Sequence, residues 1–224
     1  MKKINKLNKV LTQSVALTAA ISVSATNVAS AETIYRDLNQ VSDWAAEAVT
    51  IMQKEGIMIG DTAGNFRPLD KITRQEVAIV LTRTLKLQVE DVTTSSFADV
   101  NDNDSALKYI EAVKKAGLML GDGNDNFRPK DFMTREEMAA TFVRIHNVDP
   151  TGKGQSLNVQ DKEAISDWAK DYVAATLELG LMKGDGANFN PKREATRQET
   201  AMVANNNIQI IKKKAAGSDP VIAL

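Results

Sequence analysis

The chain has 224 residues, with 28 basic and 29 acidic side chains, one His and no Cys, and aromatics make up 5%. Without Cys there are no disulfides, thiolate nucleophiles or Cys-ligated zinc, and the lone His146 cannot supply a multi-His metal site. Residues 1–31 hold Lys2, Lys3, Lys6 and Lys9 and no acid, leaving 24 basic and 29 acidic side chains in the other 193 residues, a balance that argues against nucleic acid.

Lys2 to Lys9 is a basic start, Val10 to Val23 is mostly small and apolar, and Ala29-Ser30-Ala31 fits signal-peptidase cleavage. Residues 1–31 therefore read as a secretory signal peptide. The apolar run is too short to span a bilayer and is diluted by Gln13, Ser14, Ser22 and Ser24. The mature chain is expected to start near Glu32 and to work outside the membrane without inserting into it.

The rest is organised by repeats. Gly60-Asp61-Thr62-Ala63-Gly64-Asn65-Phe66-Arg67-Pro68 recurs at Gly121 to Pro129, and again, one residue shorter, at Gly184 to Pro191. Five residues after each proline stands Thr-Arg: Thr73-Arg74, Thr134-Arg135 and Thr196-Arg197. Upstream, Tyr35-Arg36-Asp37, Phe97-Ala98-Asp99 and Val159-Gln160-Asp161 align, as do Ser42-Asp43-Trp44 and Ser166-Asp167-Trp168.

Each copy reads as helix, loop, helix. The first helices are predicted at Asp43–Glu55, Ala106–Ala116 and Asp167–Leu179, where apolar residues recur at helical spacing before Gly56, Gly117 and Gly180. The second helices start at each Thr, running to about Leu87 in copy one and His146 in copy two. Glu90–Ser96 and Val148–Asn158 read as linkers. No alternating pattern is sustained, so the expected class is all-α. One copy is too short for a good core. Three copies packed about a common pseudo-threefold axis would bury their apolar stripes and leave grooves between neighbours.

Thr73-Arg74-Gln75-Glu76, Thr134-Arg135-Glu136-Glu137 and Thr196-Arg197-Gln198-Glu199 are capping boxes by pattern. That assigns structural capping to Thr73, Glu76, Thr134, Glu137, Thr196 and Glu199, but leaves the arginines unexplained. A cation in the first helical turn opposes the macrodipole. Two explanations stand: an anion site where guanidinium and helix amides converge, or an inter-copy salt bridge to Asp37, Asp99 or Asp161. Arg74→Ala is expected to weaken binding with little loss of fold on the first.

Most aromatics occupy repeat-equivalent places that suit a core, while Trp44 and Trp168 are candidates for a sugar-stacking groove. The Asp-rich loops fail as EF-hands: a frame from Asp122 puts Phe127 where Gly belongs and Met133 where the bidentate Glu belongs. No metal or other cofactor is expected. His146 lies near a helix end, where a partly charged imidazole suits the dipole.

These motifs resemble the S-layer homology (SLH) family, over residues 35–207. The resemblance rests on the aromatic-x-Asp start, the Trp-led first helix, the Gly-Asp-Gly to Phe-x-Pro loop and the box Ile72 to Glu76, Met133 to Glu137 and Ala195 to Glu199. It implies a three-pronged spindle of helices, and domains at 32–88, 89–148 and 149–210 with a short tail at 211–224. It implies noncovalent anchoring to secondary cell-wall polysaccharide carrying pyruvylated N-acetylmannosamine, in bacteria with Bacillus-like envelopes. Arg74, Arg135 and Arg197 would meet the acidic pyruvyl group. Asp37, Asp99, Asp161, Trp44 and Trp168 would contact sugar hydroxyls and ring faces, and Gly60, Gly121 and Gly184 would permit close backbone approach.

Copy two has Ser105 where the others have Trp. Copy three has Val159 for the aromatic, Asn190 for Arg67 and Arg128, and Ala195 before Thr, so unequal grooves are expected, the third being the one least fixed by the pattern. The alternatives to an anchor are a surface-lattice (S-layer) component and a wall hydrolase, the last lacking any recognisable catalytic pair. The few residues after Ile210 leave the chain readable as a truncated remnant of a larger surface protein. The chain is expected to be an exported, monomeric, non-catalytic protein of the cell wall and surface.

Overall fold

The computed structural model describes residues 35–217; the expected signal peptide lies outside them. Six α-helices follow in pairs: α1 (Asp43–Lys54) and α2 (Arg74–Leu85), α3 (Leu107–Lys115) and α4 (Arg135–Arg144), α5 (Lys170–Glu178) and α6 (Arg197–Ala215). Short 3-10 turns at Leu38–Gln40, Lys153–Ser156, Lys162–Ala164 and Asp167–Ala169 fill the connections. No strand occurs among the described residues, only three isolated bridges. The fold is all-α, built from three helix-loop-helix repeats.

Two boundaries differ from the sequence expectation. The Val148–Asn158 linker holds the Lys153–Ser156 turn, which packs on α5 because Gly152 and Gly154 amides donate to the Asp171 carboxylate. Helix α6 runs to Ala215, past the expected repeat end at 210. Ile208 and Ile210 still pack on the core, and Lys212, Lys213 and Lys214 in the last turn complement the helix dipole.

The repeats close through their second helices. α2 packs on α3, α4 on α5 and α6 on α1, so each repeat leans on the next and the third leans on the first. At the centre is a ring of backbone hydrogen bonds. The amide of Ile72 donates to Ala195 O, that of Met133 to Ile72 O, and that of Ala195 to Met133 O, at 2.8–3.0 Å. These three residues precede the box threonines and are fully buried. Ala195, a departure in the sequence, takes the third place in this ring and keeps both of its backbone bonds.

Phe66, Phe127 and Phe189 are the hub of each repeat, all with zero exposure. Tyr35 tilts on Phe66 and Phe97 on Phe127, each at 5.3 Å between centroids, and Val159 occupies that place in repeat three. Apolar burial of this kind contributes about 25 cal/mol per Å2. Each repeat alone would leave the face of its second helix wet.

Candidate functional site

The loops are held by the aspartates. Asp37 accepts the amides of Phe66 and Arg67, Asp99 those of Phe127 and Arg128, and Asp161 those of Phe189 and Asn190, all at 2.7–2.8 Å. Arg67, Arg128 and Asn190 sit at φ of 57–59°, which non-glycine residues rarely adopt. Two hydrogen bonds to one carboxylate fix that turn, so the aromatic-x-Asp and Phe-x-Pro motifs are halves of one device. Both oxygens of each carboxylate thus have a structural duty in the loop, beside the sugar contact that the resemblance implies for Asp37, Asp99 and Asp161.

The loop glycines also answer to the loop itself. A Cβ on Gly60 would lie 2.5 Å from both Asn65 O and Tyr35 Cε1. At Gly121 and Gly184 it would meet Asn126 O at 2.6 Å and Asn188 O at 2.2 Å. Asp61, Asp122 and Asp185 each accept two amides of their own loop, which holds their carboxyls below the usual range, Asp185 at about 2.

The capping boxes are complete: Thr73, Thr134 and Thr196 accept from the amides of Glu76, Glu137 and Glu199, whose carboxylates bind back to the threonine amides at 2.8–2.9 Å. Thr134→Ala is expected to lower unfolding stability by about 1 kcal/mol with no change of fold, as urea unfolding would read.

The box arginines are buried, 5–6% exposed, and each reaches into the following repeat. Arg74 Nε donates to Phe127 O, Arg135 Nε to Phe189 O and Arg197 Nε to Phe66 O, at 2.8–2.9 Å. Each guanidinium lies over that same phenyl ring, 4.9–5.2 Å from its centroid. Each pairs with the next box glutamate: Arg74 with Glu137 at 3.5 Å, Arg135 with Glu199 at 3.0 Å, Arg197 with Glu76 at 3.1 Å. Arg135 and Arg197 add a third bond, to Lys183 O and Ile59 O.

This corrects two expectations. The inter-copy salt bridge exists, but its acid is the next capping glutamate, not Asp37, Asp99 or Asp161. The helix amides are not free for an anion either: those of Arg74 and Gln75 donate to Asp131 O and Pro129 O, and the other two helices repeat the pattern. Arg74→Ala therefore cannot leave the fold untouched, because the side chain holds two repeats together.

Burial lowers the pKa of all three arginines, against the pull of the paired glutamates. Burial would raise Glu137 and Glu199, but their threonine amides and two arginines each outweigh it and hold both below the usual range. A carboxyl depressed in the fold adds stability above its unfolded pKa, lost as pH falls through the folded one. Melting temperature is thus expected to fall between about pH 5 and about pH 3, less steeply in a Glu137→Gln/Glu199→Gln variant. His146 goes the other way from the dipole expectation: burial, then Lys214, lower its pKa.

A groove of about 650 Å3 opens where three repeats meet. Repeat three supplies the loop Gly180 to Asp185, Asn190 and Arg193, and helix residues Glu199, Met202 and Asn206; repeat two supplies Arg135, and repeat one supplies Trp44. Trp44 is 51% exposed, as is Trp168 at 52%. Of the sequence-nominated residues, the groove gathers Arg135, Gly184, Glu199 and Trp44. By repeat equivalence Trp168 is the counterpart of Trp44 for repeat two, and its 3-10 turn and α5 pack on α4 as α1 packs on α6. Ser105 is the counterpart for repeat one, just before α3, which packs on α2. The third groove, the one least fixed by the sequence pattern, has its tryptophan, borrowed from repeat one.

Sequence reading missed Arg193, Lys183 and Asn206, and also the middle residue of the box. Gln198 bonds the Ser42 amide and hydroxyl, and Glu136 those of Ser166, so the boxes of repeats three and two each hold the serine that precedes the tryptophan turn of the next repeat. The available signal was recurrence of Ser42 and Ser166 before the tryptophans.

A ring of three repeats, with a groove that gathers residues from all three members, defines a modular scaffold. The S-layer homology domain model matches residues 34–78, 96–139 and 161–201. The chain belongs to the S-layer homology family, whose domains are non-catalytic modules that anchor proteins to the cell wall. It is 34% identical over 170 residues to exoglucanase XynX of Acetivibrio thermocellus, covering 74% of this chain and 16% of that protein. It is 33% identical to the surface-layer 125 kDa protein of Lysinibacillus sphaericus, covering 93% of this chain and 18% of that one. An amylopullulanase of Thermoanaerobacterium thermosulfurigenes is 34% identical over 75% of this chain and 9% of its own length. The chain thus spans less than a fifth of each of these relatives. Among the described residues no helix is long and apolar enough to cross a membrane.

Proposed function

We propose that this chain is a noncovalent cell-wall anchor that binds secondary cell-wall polysaccharide in the grooves between its repeats, through the acidic pyruvyl groups that the family resemblance implies. It acts outside the cell, as a monomer and without catalysis. One observation carries the reading: a half-exposed Trp44 shares a groove with the guanidinium groups of Arg135 and Arg193. An indole face suits the apolar face of a sugar ring, and a guanidinium suits a carboxylate. The box arginines contribute by setting the groove wall and its positive potential, with Arg193 as the exposed donor.

The test is co-sedimentation with purified wall sacculi. The protein is expected to pellet with intact sacculi and to stay soluble once the polysaccharide is stripped. Equal pelleting with stripped walls would sink the reading. Ordered sheets of protein alone, seen by electron microscopy, would instead favour a lattice component.

A further inference from the structure

The three grooves share an architecture but not a charge. Seven equivalent positions decide it: the box Arg, the capping Glu, the loop Asp, the two loop positions flanking the proline, the rim residue and one residue on the second helix. Around the repeat-one loop these are Arg197, Glu76, Asp61, Arg67, Asp70, Ile59 and Arg83, three cations against three carboxylates. The repeat-two groove matches it, with Leu120 at the rim. In the repeat-three groove Arg135, Arg193 and Lys183 face only Glu199 and Asp185, because Asn190 and Asn206 are neutral there.

The cause is an exchange within the loop. In repeats one and two the arginine follows the phenylalanine and is held by an acid three residues on, Arg67 by Asp70 at 3.8 Å and Arg128 by Asp131 at 3.7 Å. In repeat three the cation stands at 193, where the other copies have that acid. Arg193 and Arg135 share Glu199, at 2.5 and 3.0 Å, as Arg128 and Arg74 share Glu137, at 2.6 and 3.5 Å. In repeat two, however, Asp131 stands beside the pair as a second acid, and in repeat three its position is Arg193 itself. Arg193 is 47% exposed at its side chain and lines the groove that holds Trp44. Asn206 takes over the helix-carbonyl bonds to Gly180 and Leu181 that Arg83 makes to Gly56 and Ile57, without adding charge.

Without the acid that Asp131 supplies in repeat two, two guanidinium groups on one carboxylate leave a net positive charge that a second carboxylate would neutralise. We propose that the repeat-three groove is the chain's principal seat for a carboxylate-bearing sugar, and that Arg193 is the residue that selects the acid. This rests on the wall-anchoring reading and deepens it. The repeat-two groove keeps a stacking face, Trp168, but no uncompensated cation, and the repeat-one groove has neither. They would take neutral sugar units.

The two tryptophans make the grooves separately readable, since each carries its own indole N–H signal. The probe is the methyl glycoside of pyruvylated N-acetylmannosamine, with its neutral methyl ester as control. The Trp44 signal, assigned with Trp44→Phe, is expected to shift at about tenfold lower sugar concentration than that of Trp168. The ester should abolish the difference. Arg193→Asp should raise the Trp44 midpoint at least about tenfold and leave Trp168 unchanged. Should that variant unfold, Asp131→Arg supplies the converse, lowering the Trp168 midpoint by a similar factor. Equal midpoints, or an Arg193→Asp protein that binds as before, would overturn the assignment while wall co-sedimentation still upholds the anchor. Failure of the unaltered protein to pellet with sacculi would overturn both.

Discussion

Arg197→Ala is expected to destabilise the protein by about 3–5 kcal/mol, the cost of breaking a buried ion pair from one side. Its guanidinium holds Phe66 O, Ile59 O and Glu76 and lies over the Phe66 ring, so one truncation leaves two carbonyls and a carboxylate without their donor. All of these partners belong to repeat one, whereas Arg197 belongs to repeat three. The substitution therefore loosens the joint that closes the ring, not only one helix end. For a domain of this size the loss corresponds to a fall in melting temperature on the order of 10 °C. Thermal unfolding of Arg197→Ala beside Arg197→Lys is the measurement. Lysine keeps the charge but has one nitrogen for three acceptors, so it should recover only part of the stability. Full stability in Arg197→Ala would show that the repeats close without the arginine.

Phe127→Ala should cost a similar amount, about 3–5 kcal/mol, through the cavity it leaves. Phe127 is fully buried, tilts on Phe97 within repeat two and carries the Arg74 guanidinium of repeat one on its face. The truncation removes an intra-repeat core contact and an inter-repeat one together. A double-mutant cycle with Arg74→Ala tests this: the losses should fall short of additive, because each substitution already breaks the shared contact. Additive losses would mean the stack contributes nothing beyond its area.

These effects explain why the box arginines invite an anion-site reading in the sequence. A cation in the first helical turn opposes the dipole, and the compensation lies more than fifty residues away. Arg74 and Phe127 are separated by 53 residues, and Arg197 and Ile59 by 138. No helical or strand periodicity reports such a pairing.

Much of the rest was legible locally. The capping boxes depend on residues three apart, and all three form. The helices follow from 3.6-residue spacing and from glycine at their ends, within a residue or two except at α5, whose first three expected residues form a 3-10 turn, and at α6, whose last turns rest on Ile208 and Ile210. The Asp-to-loop bonds were visible only as a recurring spacing: Asp37, Asp99 and Asp161 stand 28 or 29 residues from the first amide they accept. That recurrence marked the aspartates as important and left open whether a ligand or the chain itself used them.

What the sequence by itself determined is the repeat, its helices and caps, and through them the family. Those rest on contacts within one turn or one repeat, which composition and spacing encode directly. Only the tertiary structure decided that every repeat completes the next. Closing three similar copies into a ring lets a tryptophan from one, an arginine from another and a loop from the third share a groove. A residue such as Trp44 then acts in a neighbour's groove, not in its own copy, so copy-by-copy reading assigns its consequences to the wrong place.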